Sequence, residues 1–186
     1  MKMAFLLTVL ALFGCSLNAL AKDVQYEFKM TCKPVLEEIQ GGSSTNKNSV
    51  SNEQAKKNID RQRKIFSEVK SKLKLFVKDN PNTIWSDDAQ NIIAMLSIEN
   101  INEQTLELEH LIASYPDARM EDWSKKAFYL FLSDKLSVDL SARLGLLINY
   151  KQLGKQEKFE KLLDGSLKKY PNNALLMKLK LSRSLN

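Results

Sequence analysis

From Glu53 onward, apolar side chains recur every three or four positions, which is the spacing that puts them on one face of a helix. Ala55, Ile59, Ile65, Phe66, Val69, Leu73, Phe76 and Val77 keep this register up to Asn80-Pro81, where the proline cannot continue the helix. The same pattern predicts six more helices, over 84–98, 102–115, 119–133, 137–153, 156–170 and 173–184. The turns between them span only a few residues, as antiparallel neighbours require. Thr83 is placed to cap the helix beginning at 84, with Asp87 and Asp88 in its first turn against the positive end of the helix dipole. Ala127 to Leu132 is the most apolar run after the N-terminal segment and suits a core helix or an uncovered partner groove.

Upstream the pattern is ambiguous. Val24, Tyr26, Phe28, Met30 and Cys32 alternate with polar residues as in a half-buried strand, while Val24, Phe28, Cys32, Val35, Leu36 and Ile39 form a helical stripe. Pro34 disfavours helical geometry at Lys33 and suits a first helical turn, so residues 22–40 read as a strand, or as a break near 33 followed by a short helix. Residues 41–52, GGSSTNKNSVSN, carry almost no apolar content and read as a flexible linker. The first 21 residues pair Lys2 with an apolar stretch from Ala4 to Gly14 and a small-x-small site at Ala19-Leu20-Ala21. They read as an export signal with the mature chain starting at Lys22. Leu12-Phe13-Gly14-Cys15 overlaps it and resembles a bacterial lipobox, which makes Cys15 a candidate lipidation site.

Three helix ends share a pattern: Phe76 to Asn82, Ile112 to Asp117 and Leu167 to Asn172 each carry a helix end, a proline, and then Asn or Asp. The first two prolines lie 35 residues apart, close to the roughly 34-residue period of helix-turn-helix arrays. The step from Pro116 to Pro171 is 55, so one repeat lacks its proline or an extra helix is inserted. Leu144-Gly145, Tyr150, Gly154, Phe159, Leu163 and Pro171 follow the order of a tetratricopeptide repeat, although Leu144-Gly145 comes about two residues early and Ser166 stands where Ala is common. Asn80 to Ala89 resembles the Pro-x-Ser-x-Trp-x-Asp-Asp-Ala signature between repeats of envelope proteins such as outer-membrane-barrel assembly lipoproteins. Tyr115 to Asp122 is a weaker copy.

The resemblance to tetratricopeptide repeats covers roughly residues 75–175 and implies an all-α fold, an antiparallel helix-pair solenoid wound as a right-handed superhelix over 53–186. It also implies a concave groove lined by the first helix of each pair, with Asn91, Met95, Leu144, Ile148 and Lys151 as candidate partner-binding residues. Trp85 and Trp123 suit burial between repeats more than exposed recognition.

Charge and chemistry narrow the field. After loss of Lys2 with the signal, 27 Lys and Arg face 22 Asp and Glu, a net +5 read as scattered lysines on a solvated surface. Such a balance points to anionic headgroups or acidic partners rather than nucleic acid. Removal of the signal leaves Cys32 alone in an oxidising compartment, either a small buried hydrophobe or a site of intermolecular disulfide pairing. His110 is the single histidine, and no His-x-x-x-His, Cys-x-x-Cys or Gly-x-Ser-x-Gly occurs, so no metal site, cofactor or catalytic relay is expected. The acidic pairs Glu37-Glu38, Asp87-Asp88 and Glu121-Asp122 do not by themselves converge on a substrate.

The expected function is that of an exported periplasmic or envelope-associated adaptor, not an enzyme. It would bind another envelope protein or peptide segment, with peripheral membrane association, and would sit at the outer membrane if Cys15 is lipidated. In a second reading, residues 22–33, tethered by the 41–52 linker, add to a partner or a second copy as a strand or helix, with Cys32 able to lock the contact. The alternative from the enzyme class is a helical cell-wall hydrolase using distant carboxylates. Neither oligomeric state nor pathway is legible in the chain.

Overall fold

The computed structural model describes residues 23–39, 52–81, 83–127 and 137–183, and every regular element among them is a helix. These are α1 (23–39), α2 (Asn52–Asp79), α3 (Ser86–Leu96), α4 (Ile101–Ser114), α5 (Asp122–Ala127), α6 (Val138–Gln152), α7 (Gln156–Lys169) and α8 (Ala174–Arg183). Residues 1–21, read above as an export signal with Cys15, nearly all of residues 41–52, expected as a linker, and the apolar run beyond Ala127 lie outside the described residues. No helix among the described residues is long and apolar enough to cross a membrane. Two compact units divide the chain, Met1–Trp85 and Ser86–Asn186. The division falls at 85/86, whereas the sequence pattern alone places a boundary at 52/53.

In the first unit, α1 is a helix throughout, and neither the strand nor the break near 33 forms. Phe28, Cys32 and Val35, spaced four and three apart, are all fully buried, whereas Tyr26 and Met30 of the alternating pattern are exposed. Burial of that stripe outweighs the cost of Pro34, which removes a donor from the helix interior. The Phe28 ring lies 5.6 Å from Phe76 and 5.1 Å from Trp85, so the last turns of α2 and Trp85 share one core with α1. At the other end of α1, buried Glu38 accepts a 3.0 Å bond from Arg61, so the two helices run antiparallel. Only Val69, Leu73, Phe76 and Val77 of the long α2 are buried. Ile59 of the predicted stripe is exposed.

In the second unit the packing is serial: α3 on α4, α4 on α6, α6 on α7 and α7 on α8. Each junction has its own lock. Gln90 of α3 donates to the Glu107 backbone carbonyl at 3.1 Å and to its carboxylate at 2.9 Å. Gly145 lets α6 approach α4, since a Cβ there would stand 3.2 Å from Leu108 Cδ1. Gly154 has φ +66° and closes α6 in a Schellman motif, with Lys155 N–H donating to the Tyr150 carbonyl at 2.8 Å.

The ends of α4 and α7 are near copies. Tyr115 has φ −131° and ψ 64°, Tyr170 has φ −131° and ψ 65°, and each donates its backbone N–H back four residues, to Leu111 and Ser166. Each then accepts a bond from the residue three further on, Ala118 and Asn173. Asn80 makes the same two bonds, to Phe76 and from Thr83. The proline after each of these residues stops the helix in the same way three times.

Two predicted starts move. Helix α3 begins at Ser86 rather than 84, and the Thr83 hydroxyl donates to the Asn80 carbonyl at 3.3 Å. The helix expected from 119 begins at Asp122, and the Arg119 and Glu121 N–H groups before it donate to side chains of α3.

Candidate partner-binding face and its polar supports

Leu144, Ile148 and Lys151 sit at i, i+4 and i+7 on α6 and share its outward side. Leu144 is half-buried, Ile148 is 55% exposed and Lys151 is exposed. The opposite side of α6 carries Ala142, Leu146, Leu147 and Tyr150 into the core. The α3 pair is placed differently. Asn91 is only 4% exposed, and its amide lies 3.9 Å from the sulfur of half-buried Met95. Thus α6 offers two apolar side chains and a cation on consecutive turns, a set suited to a short amphipathic segment. Cys32 forms no disulfide among the described residues and is fully buried in the core of the first unit.

Sequence reasoning missed the polar network that holds α6 in place. The Tyr150 hydroxyl donates to Glu109 at 2.6 Å, and Lys158 reaches the same oxygen at 2.8 Å from α7. Burial pushes the Glu109 carboxyl up, but the hydrogen bonds from Lys158 and Tyr150 and the charge of Lys158 outweigh it, so its pKa is lowered. Burial and the adjoining carboxylate both push the Tyr150 hydroxyl up, so it stays a donor. Asn149 adds a 3.1 Å bond to Gln104.

Two buried aspartates mark the starts of α3 and α6. Asp88 accepts from the Glu121 N–H at 3.3 and 3.2 Å and from the Ser124 hydroxyl, while Asp87 accepts from the Arg119 N–H at 3.1 Å. Asp87 and Asp88 thus meet the backbone at Arg119 and Glu121, and Asp88 the charge of Glu121, through the fold of the chain rather than through spacing on one helix. Burial, together with the neighbouring charges of Asp87 and Glu121, outweighs the Ser124 and Glu121 hydrogen bonds and raises Asp88 to about 7. Asp139 accepts from Arg143 Nε at 2.8 Å and the Tyr170 hydroxyl at 2.7 Å, with Lys169 at 3.2 Å. Its burial is outweighed by Arg143 and Tyr170, so its pKa is lowered.

Among the described residues no group of His, Cys, Asp or Glu is arranged to hold a metal ion. Asp88 spends its oxygens on helix α5 and its approach, which is a structural use of a carboxylate. No protein-family model matches the chain, and no curated protein or solved structure does either.

Proposed function

We propose that the protein is an exported adaptor of the bacterial envelope that captures a segment of another envelope protein on a tetratricopeptide-like array of helix pairs. The observation that carries this reading is the thrice-repeated helix end at Asn80, Tyr115 and Tyr170, joined to serial helix packing in the second unit. In an array of this kind the helix pairs stack into a right-handed solenoid, and first helices such as α6 line its concave side. The α6 residues Leu144, Ile148 and Lys151 then form the contact. The N-terminal export signal supports an envelope location, with Cys15 as the alternative attachment point.

Cross-linking in the intact envelope of the host, followed by purification and mass spectrometry, tests the proposal and reads the protein's own N-terminus. A stoichiometric partner, lost on combined Leu144→Asp and Ile148→Asp substitution with helicity unchanged, is the expected result. Partner capture that survives both substitutions removes α6 from the contact. A protein recovered alone removes the adaptor reading.

A further inference from the structure

The net charge of the chain conceals a strong segregation. Residues 84–124 hold nine Asp and Glu against one Arg, whereas residues 155–183 hold eight Lys and Arg against three Asp and Glu. The first stretch builds α3, α4 and the approach to α5; the second builds α7 and α8. In the series of helix contacts α3 stands at one end and α8 at the other, while acidic α4 and basic α7 already meet between them.

Each end also exposes apolar surface that a water-facing helix does not need. On α8, Leu176 is buried, while Met177, Lys178 and Leu181 face outward, with Leu181 64% exposed. On the acidic side, Ile98 in the turn before α4 is 72% exposed and Leu106 on α4 is 64% exposed, with exposed Asn102 between them in the chain. Glu99 is exposed and Glu103 half-exposed beside them. The chain already joins these two kinds of surface internally. Lys158 of α7 meets Glu109 of α4 at 2.8 Å, and Lys169 meets the Pro116 carbonyl at 2.6 Å in the turn after α4.

We infer that the protein associates with itself head to tail, the Met177, Lys178 and Leu181 face of one copy seating on the Ile98 and Leu106 face of the next. Opposite charge orients the encounter, and the exposed apolar residues supply the contact. The two surfaces differ, so the contact is heterologous and leaves one free face at each end for further copies. A two-fold pairing of like faces would set basic against basic or acidic against acidic.

Sedimentation velocity of the purified protein tests this. Association should grow with concentration across the micromolar range at about 0.05 M salt and collapse to monomer at about 1 M salt, where screening is strong. Leu181→Asp and Leu106→Asp should each be monomeric with unchanged circular dichroism. An equimolar mixture of the two should recover a dimer and stop there, because each variant keeps one intact face. A monomeric wild-type protein at low salt overturns the inference, as does association that persists in both variants. A mixture that recovers nothing overturns it in favour of a two-fold contact. Binding of monomer to anionic phospholipid vesicles, lost in Leu181→Asp alone, would assign the α8 face to lipid instead.

Discussion

Asp88 and Asp139 hold comparable places, each buried in the first turn of a helix and each tied to a segment about one repeat further along the chain. Asp88 reaches Glu121 and Ser124, and Asp139 reaches Lys169 and Tyr170. Even the partner tyrosines correspond, since Tyr115 bonds to Ser86 and Tyr170 lies 3.4 Å from Ser137. Their surroundings differ in sign. Asp139 is met by a guanidinium and an ammonium, whereas Asp88 is met by neutral donors and two further carboxylates. The same buried anion is therefore held ionised at one junction and driven toward its neutral form at the other. Position in a repeat sets what a carboxylate can reach, and the partners set its charge.

The largest effect should come from breaking the charged junction. Asp139→Ala leaves Arg143, at 15% side-chain exposure, without its carboxylate, and should cost about 3 kcal/mol in urea unfolding, the usual scale for removing one member of a buried pair. The neutral junction should behave in the opposite sense. Asp88 has a folded pKa raised from 3.8 to about 7, so its contribution to stability is present below pH 4 and is lost as pH rises to about 7. Asp88→Asn should therefore flatten that decline and leave the protein more stable than wild type at pH 8.5, by on the order of 2 kcal/mol. A variant less stable than wild type at that pH would show that the ionised form is the one the site prefers.

Asp139 has the reverse linkage, because its folded pKa is lowered. Its contribution is present above the unfolded value and is lost as pH falls through the folded one. Arg143→Gln tests this more gently, with an expected loss of about 1–2 kcal/mol at neutral pH that shrinks in acid. Smallest of all is the tyrosine comparison. Tyr170→Phe removes a 2.7 Å bond to a carboxylate and should cost about 1 kcal/mol more than Tyr115→Phe, whose partner is a neutral serine. Equal losses in thermal unfolding would mean that the two junctions are not energetically distinct.

Much of the helical order was legible because its causes are local. The ends of α4, α6 and α7 lie within a residue or two of where periodicity, proline and Gly154 put them. Starts were harder. Helix α3 starts at Ser86 and α5 at Asp122, beside bonds from Thr83 to Asn80 and from Arg119 and Glu121 to Asp87 and Asp88 that no local pattern announces. In the candidate face, the resemblance to helix-pair repeats grouped Leu144, Ile148 and Lys151 on α6. The same reasoning could not tell that Asn91 would be buried while Ile148 would be exposed.

By itself, then, the chain determined that it would be helical, where most helices would stop, and which side of α6 would carry apolar residues, because these depend on neighbours within a few positions. Tertiary structure alone decided that α1 would run through Pro34, that Asp88 would meet Glu121 and Ser124, and that Asp139 would meet Lys169 and Tyr170. Those outcomes rest on groups 23 or more residues apart in the chain, whose proximity no local pattern encodes.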